Sequence, residues 1–212
     1  MQIVDIISQP EHFHYFEKCK DSIIAANDPL VDNYINIDFS EYLEFNLLVD
    51  NDEVVSFCGM QTKNIFGLNC ARIATRTWVN PKYRVKTLLS KNFQNEMNRG
   101  FHNTRYLVTH QIAQSKKRNL DFCFMSRQYL NKPGGVKLFL SVYDHLGIDY
   151  VTDLQTAFDV CGGRPPYTNE GCWQFIVGYP TKFDKETTWQ MIKNRFQSAP
   201  VKEILEFRKN AK

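Results

Sequence analysis

A chain of 212 residues that is 43% hydrophobic and 14% aromatic can bury a full core, which excludes general disorder. Its formal net charge is a mild +3, and the basic residues are scattered apart from Lys82/Arg84/Lys86 and Lys116-Lys117-Arg118, a pattern that favours a local anion site over a nucleic-acid surface. No apolar run approaches the roughly 20 residues that cross a bilayer and no signal-like segment opens the chain. The six cysteines are dispersed without a C-x-x-C pair and read as reduced, mostly buried thiols, so a cytoplasmic protein without a bound metal is expected.

In chain order, Gln2 to Ile7 suits a first strand. Ser8-Gln9-Pro10-Glu11 then carries the cap residue, early proline and acidic first turn of a helix start. Phe13, Phe16, Cys19, Ile23 and Ile24 supply its buried stripe down to Asn27-Asp28-Pro29, with His12 and His14 on the exposed edge. Pro29 to Tyr42, rich in Asp, Asn and aromatics, reads as an irregular or briefly helical wall. Glu44 to Asp50 and Val54 to Thr62 form a hairpin around Asn51-Asp52-Glu53, and Asn64 to Asn69, with Gly67, reverses the chain again.

Cys70 to Val79 is the next strand, with Ile73, Thr75, Thr77 and Val79 expected on one side and Arg72, Ala74, Arg76 and Trp78 on the other. Asn80-Pro81 ends it, since proline removes a ladder donor and holds Asn80 extended. From Thr87 the spacing turns helical, through Leu88, Leu89, Phe93 and Met97, and Gly100 is read as the stop. Lys82, Arg84 and Lys86 thus stand at a helix N-terminus, where cations oppose the helix dipole unless an anion binds between them. Strand, tight turn and helix N-terminus together outline a phosphate site.

Trp-Val-Asn-Pro-Lys-Tyr-Arg, residues 78 to 84, resembles the V-x-P-x-Y-R signature that closes the fourth strand in the GNAT superfamily of acyl-CoA N-acyltransferases. In that family a Q/R-x-x-G-x-G/A stretch comes next, and its amides hold the coenzyme A pyrophosphate. Here it reads Arg84-Val85-Lys86-Thr87-Leu88-Leu89, with Thr87 and Leu89 where small residues are usual.

Further along, His102 to Asn119 is read as a helical insertion and Leu120 to Arg127 as the fifth strand. Lys132-Pro133-Gly134-Gly135 breaks the chain before a helix from Val136 to Leu146. Its ending, Tyr143-Asp144-His145-Leu146-Gly147-Ile148, resembles the Y-E-K-L-G-F ending of the fourth family helix, which makes Tyr143 the candidate general acid for the departing thiolate. Asp149 to Val160 and Cys172 to Tyr179 are the last two strands. Thr187 to Gln197 and Val201 to Arg208 are amphipathic helices of an extension.

The resemblance implies one α/β domain over residues 1–180, a mixed and largely antiparallel sheet flanked by helices, with a helical C-terminal extension over 181–212. It further implies transfer of an acyl group, by default acetyl, from acetyl-CoA to an amine of a small molecule or peptide. Thr77, Trp78 and Val79 would border the acyl carbonyl, and Arg84, Val85, Lys86, Thr87, Leu88 and Leu89 the pyrophosphate. Cys70 to Val79 holds no carboxylate, so Glu44, Asp38 and His110 stay open as general base. Two other readings are a GNAT-like binding module without catalysis, and a nucleic-acid binder using Lys82, Arg84, Lys86 and Lys116 to Arg118. A homodimer contact through the extension is left open.

Overall fold

The computed structural model describes residues 1–27, 31–65, 67–83, 93–129, 150–151 and 172–178, with a few positions between 184 and 194. Its strands are β1 (Gln2–Asp5), β2 (Glu44–Asp50), β3 (Glu53–Ile65), β4 (Leu68–Val79), β5 (Phe122–Tyr129), β6 (Tyr150–Val151) and β7 (Cys172–Gly178), and its helices α1 (Phe13–Ala25), α2 (Val31–Ile35) and α3 (Phe93–Lys117). The strands hydrogen-bond in the order β1-β2-β3-β4-β5-β7-β6. β1/β2, β2/β3, β5/β7 and β6/β7 are antiparallel, while β4 and β5 are parallel. The chain forms two compact units, Met1–Gln61 with Ile73–Gln111, and Thr62–Arg72 with Ile112–Lys212.

In the first unit the β2–β3 hairpin turns through Asn51 (φ 49°) and Asp52 (φ 61°). Short polar side chains tolerate that left-handed pair, whose twist suits a two-residue hairpin. Asp5 fastens the end of β1 to β2 and to the approach to α1. One of its carboxylate oxygens accepts from the backbone N–H groups of Ile7 (3.1 Å) and Phe45 (2.9 Å), the other from the Ser8 hydroxyl (2.7 Å). Ser8 is therefore not the helix cap expected of it. The chain enters α1 through a 3₁₀ turn at Pro10–His12, and no side chain caps either element.

Tyr15, Phe16, Cys19 and Ile23 are the buried residues of α1, whereas Ile24 is 55% exposed. The expected stripe was one residue too wide, because a 3.6-residue period cannot bring both Ile23 and Ile24 to the same narrow contact. Asn27 (φ 46°) comes after the helix end in the left-handed region. The expected wall beyond it contains α2 and a 3₁₀ turn at Phe39–Glu41.

Alternation sorts β2 between two cores. Phe45, Leu47 and Val49 join Phe16, Ile23, Phe57 and Trp78 in one cluster, and Leu48 joins Val55, Cys58 and Leu107 in another. The first is an aromatic lattice: Phe16 meets Phe45 and Phe57 edge-on, and Phe57 stacks on Trp78 at 5.3 Å. Each fully buried aromatic ring contributes roughly 1.5–3 kcal/mol of transfer free energy. Tyr42 lies across Gly59 of β3, and a β-carbon at that glycine would overlap the Tyr42 ring and crowd the Thr75 hydroxyl.

The helix expected to stop at Gly100 does not stop there. α3 runs from Phe93 to Lys117, and residues 102–117 are its continuation rather than an inserted element. Glycine inside a helix costs about 1 kcal/mol relative to alanine. The contacts of Leu107, Val108, Gln111, Ile112 and Ser115, all buried, outweigh that cost.

In the second unit Gly67 (φ 85°) makes the reversal between β3 and β4. Cys70, Ala71 and Arg72 pair with Phe122, Cys123 and Phe124, and β5 lies two residues further along the chain than expected. β7 runs Cys172 to Gly178, and Tyr179, its expected end, lies outside the described residues. Only Tyr150 and Val151 of the expected sixth strand lie among the described residues. In the extension, Asp184 accepts from the backbone N–H (2.8 Å) and hydroxyl (2.7 Å) of Thr187 as a helix cap does, and those bonds hold its carboxyl below the usual range. The remainder of the two extension helices lies outside the described residues.

Candidate functional site

Strand β4 departs from the regular alternation expected of it. Ala74 (φ 54°) and Arg76 (φ 50°) both sit in the left-handed region, which costs a residue with a β-carbon of order 1–3 kcal/mol. Ile73 and Ala74 are consequently buried in succession, Arg76 is exposed and Trp78 is buried. Side chains brace the segment: the Ala74 N–H donates to Gln111 Oε1 (2.8 Å), the Thr77 hydroxyl donates to the Ala74 carbonyl (2.7 Å), and Arg76 donates to Asn33 Oδ1 (3.2 Å).

This irregular segment leads straight into Thr77, Trp78 and Val79, the residues expected to border an acyl carbonyl. The Trp78 indole belongs to the aromatic core, so a contribution from this residue to such a site falls to its backbone. Trp78 Nε1 and Thr75 Oγ1 are buried with no hydrogen-bond partner, polar atoms whose partners the described residues do not supply.

The turn after β4 is held from the other side of the hairpin. Asn80 is 5% exposed; its N–H donates to the Val55 carbonyl (2.9 Å), its amide to the Val54 carbonyl (3.2 Å), and its side-chain oxygen accepts from the Lys82 N–H (3.0 Å). Pro81–Tyr83 continues the chain as a 3₁₀ turn. Glu53 receives Lys82 Nζ (2.6 Å), the Tyr83 hydroxyl (3.1 Å) and the Asn80 amide (3.3 Å). Tyr83 packs on the Leu48–Val55–Cys58–Leu107 cluster. The tyrosine of the signature is thus a packing residue with a satisfied hydroxyl. Lys82, read from the sequence as one of three cations awaiting an anion, is instead paired with Glu53.

The Lys82 hydrogen bond, with those from Tyr83 and Asn80, holds the Glu53 carboxyl below its ordinary range against partial desolvation. A folded-state pKa below the unfolded one gives stability that is present above the ordinary carboxylate range and lost as pH falls from that range through the folded value. Glu53→Gln is expected to flatten the acid limb of a melting-temperature profile in that window. An unchanged acid limb would assign the loss to other carboxylates.

Of the three open general bases, the structure brings two together. Glu44 Oε2 lies 3.5 Å from His110 Nε2, with the carboxylate side chain 4% exposed and the imidazole 29%. Asn46 donates to the same oxygen (3.3 Å), and Gln111 donates to Asn46 Oδ1 (2.8 Å) and to the Cys58 carbonyl (3.2 Å). A hydrogen-bonded chain therefore runs from the Glu44 carboxylate, beside the partly exposed imidazole, to the Ala74 N–H of β4. Asp38 stands apart from it, accepting from the Ser40 hydroxyl (2.6 Å) and N–H (3.0 Å), bonds that lower its pKa.

Arg84, Val85, Lys86, Thr87, Leu88, Leu89 and Tyr143 lie outside the described residues. Among the described residues no three His, Cys, Asp or Glu side chains converge as a metal site, and no helix is long and apolar enough to cross a membrane.

Sequence reading missed Glu53, Asn80 and Gln111. Asparagine before proline at a strand end is a turn signal that pointed to the Asn80 side chain. Gln111 falls four residues after Leu107, on the same helix face, and that register was its available signal.

No family model and no curated protein matches the chain. Solved structures do. Aminoglycoside 6'-N-acetyltransferase from Enterococcus faecium is similar over 87% of this chain and 100% of its own, with a TM-score of 0.52 at 13% identity. Ribosomal-protein-S18-alanine N-acetyltransferase from Escherichia coli is similar over 87% of this chain and 96% of its own, with a TM-score of 0.39 at 14% identity. The fold is that of the GNAT superfamily.

Proposed function

We propose that the protein is an N-acyltransferase that moves an acyl group, acetyl by default, from coenzyme A to the amine of a small molecule or peptide in the cytoplasm. The observation that carries the reading is the braced, irregular end of β4 running into Val79-Asn80-Pro81-Lys82-Tyr83-Arg84, on a GNAT fold. The buried Thr75 hydroxyl on that segment, with no partner among the described residues, supports a site that takes a further polar group. When bound, coenzyme A supplies the acyl group as an activated thioester.

The chain's residues have the remaining tasks. Thr77 to Val79 orient the acyl carbonyl through the strand backbone, since a preorganised N–H donor stabilises developing negative charge. Arg84 to Leu89 hold the pyrophosphate at the N-terminal side of α3, where backbone donors and the helix dipole favour an anion. With Lys82 committed to Glu53, the cations of this stretch that serve the anion are Arg84 and Lys86. Tyr143 delivers a proton to the leaving sulfur.

Acetyl-CoA is expected to bind saturably and raise the melting temperature by mass action. Arg84→Glu is expected to abolish both effects while leaving the fold intact by circular dichroism. Calorimetry that finds no saturable binding at millimolar acetyl-CoA would overturn the assignment.

A further inference from the structure

The second basic run, Lys116-Lys117-Arg118, has no part in the proposed transfer. It ends α3 beside a cavity of about 290 Å³ in the second unit, lined by Thr62, Lys63, Asn64, Asn69, Arg118 and Asn119 among others. Two cations from different elements and three carboxamides therefore face one space, and no carboxylate is among its described lining residues. Lys116 and Lys117 are exposed beside Arg118, so four cations gather on a chain whose whole net charge is +3. Asp121 is the nearby acid in sequence, and its carboxylate accepts from the Asn69 N–H (2.7 Å).

Basic residues in the last turn of a helix often serve its terminal carbonyls. Backbone donors reach those carbonyls here: Arg118 N–H meets the Gln114 carbonyl (2.9 Å), Asn119 N–H that of Lys116 (2.9 Å), and Leu120 N–H that of Ser115 (3.1 Å). Asn119 takes the left-handed conformation (φ 56°) that closes such an end. The carboxamides are also arranged. Asn64 accepts from the Gly67 N–H (2.8 Å) and donates to the Asn69 side-chain oxygen (3.3 Å), so the donor end of Asn69 is not used between the two.

We propose that this cavity is a binding site for a phosphate group, held by Lys63 and Arg118 with carboxamide donors from Asn69 and Asn119. Amide donors and a guanidinium suit the several acceptor oxygens of a phosphate, and the volume suits a small ligand or one phosphoryl end of a larger one. None of its lining residues is among those assigned to coenzyme A, and the proposal stands or falls independently of the transferase reading.

Inorganic pyrophosphate is the first probe and a 12-nucleotide single-stranded RNA the second, each titrated by calorimetry against the full chain. The expected result, measured in the Arg84→Glu background so that the coenzyme A site does not compete for the probe, is saturable pyrophosphate binding that weakens at least tenfold when Lys63→Ala/Arg118→Ala or Asn69→Asp is added. RNA that binds at least tenfold tighter than pyrophosphate, with a steep salt dependence and the same loss in the pocket variants, would identify the phosphate as part of a nucleic-acid backbone. Absence of binding by both probes overturns the proposal. So does binding that survives the pocket variants. Lys63, Asn69 and Arg118 are exposed, and unchanged melting temperatures without ligand show that the variants remain folded.

Discussion

Gln111→Leu is expected to destabilise the protein by about 3 kcal/mol or more, a fall of roughly 6–12 °C in melting temperature for a chain of this size. The side chain is fully buried, accepts from the Ala74 N–H and donates to Asn46 and the Cys58 carbonyl. Leucine has nearly the right size, so the expected loss comes from polar groups left buried without partners, at about 1–3 kcal/mol each. The left-handed Ala74 also loses its brace, so the amide hydrogen of Ala74 is expected to exchange faster in the variant. A change below about 0.5 kcal/mol, with exchange at Ala74 unmoved, would show that the Thr77 hydroxyl alone holds the strand in shape.

Tyr143→Phe is expected to lower kcat about 10²-fold or more with little change in acetyl-CoA affinity, as loss of a general acid does. An equal fall in kcat and kcat/KM is the signature of an interaction made in the transition state, whereas a rise in KM alone would mean lost ground-state binding. The deficit is expected to shrink for acyl donors whose leaving thiol is more acidic, because such a thiolate needs less help to depart. Unchanged turnover with a good acceptor would return Tyr143 to a packing role.

The elements of the first half were legible because their signals are local. The Asn51-Asp52 turn, the Gly67 reversal and the Asn80-Pro81 stop each depend on the conformational limits of a few residues, and each reversal stands where its residues place it. Two kinds of feature were not legible. The irregularity in β4 is braced by Gln111, which lies 37 positions away from Ala74 in the sequence, and no local pattern encodes such a bond. Gly100 was misread because glycine is a stop signal at a helix end and merely a cost inside a helix, and the packing of residues further on decides between the two.

At the candidate site, the sequence located the strand end and its turn but misassigned Lys82. Charge counting finds cations without showing which of them already has a partner, and Glu53 lies on the far side of a hairpin. The pairing of Glu44 with His110 likewise depends on α3 continuing past Gly100, so it was out of reach while that helix was read as two pieces.

Four of the six cysteines report on how the molecule opens. Cys19, Cys58, Cys70 and Cys123 are buried thiols, and burial pushes Cys19 up to about 12, so little of it is the reactive thiolate at neutral pH. Alkylation of these positions therefore requires the backbone around them to open, and its rate under native conditions measures that opening. Cys19 and Cys58 belong to one compact unit and Cys70 and Cys123 to the other. Peptide mapping after a brief pulse of iodoacetamide thus reads the two halves separately in a single unaltered sample. Equal labelling kinetics at all four sites would mean that the chain opens as one cooperative body, and a faster pair would name the half that lets go first.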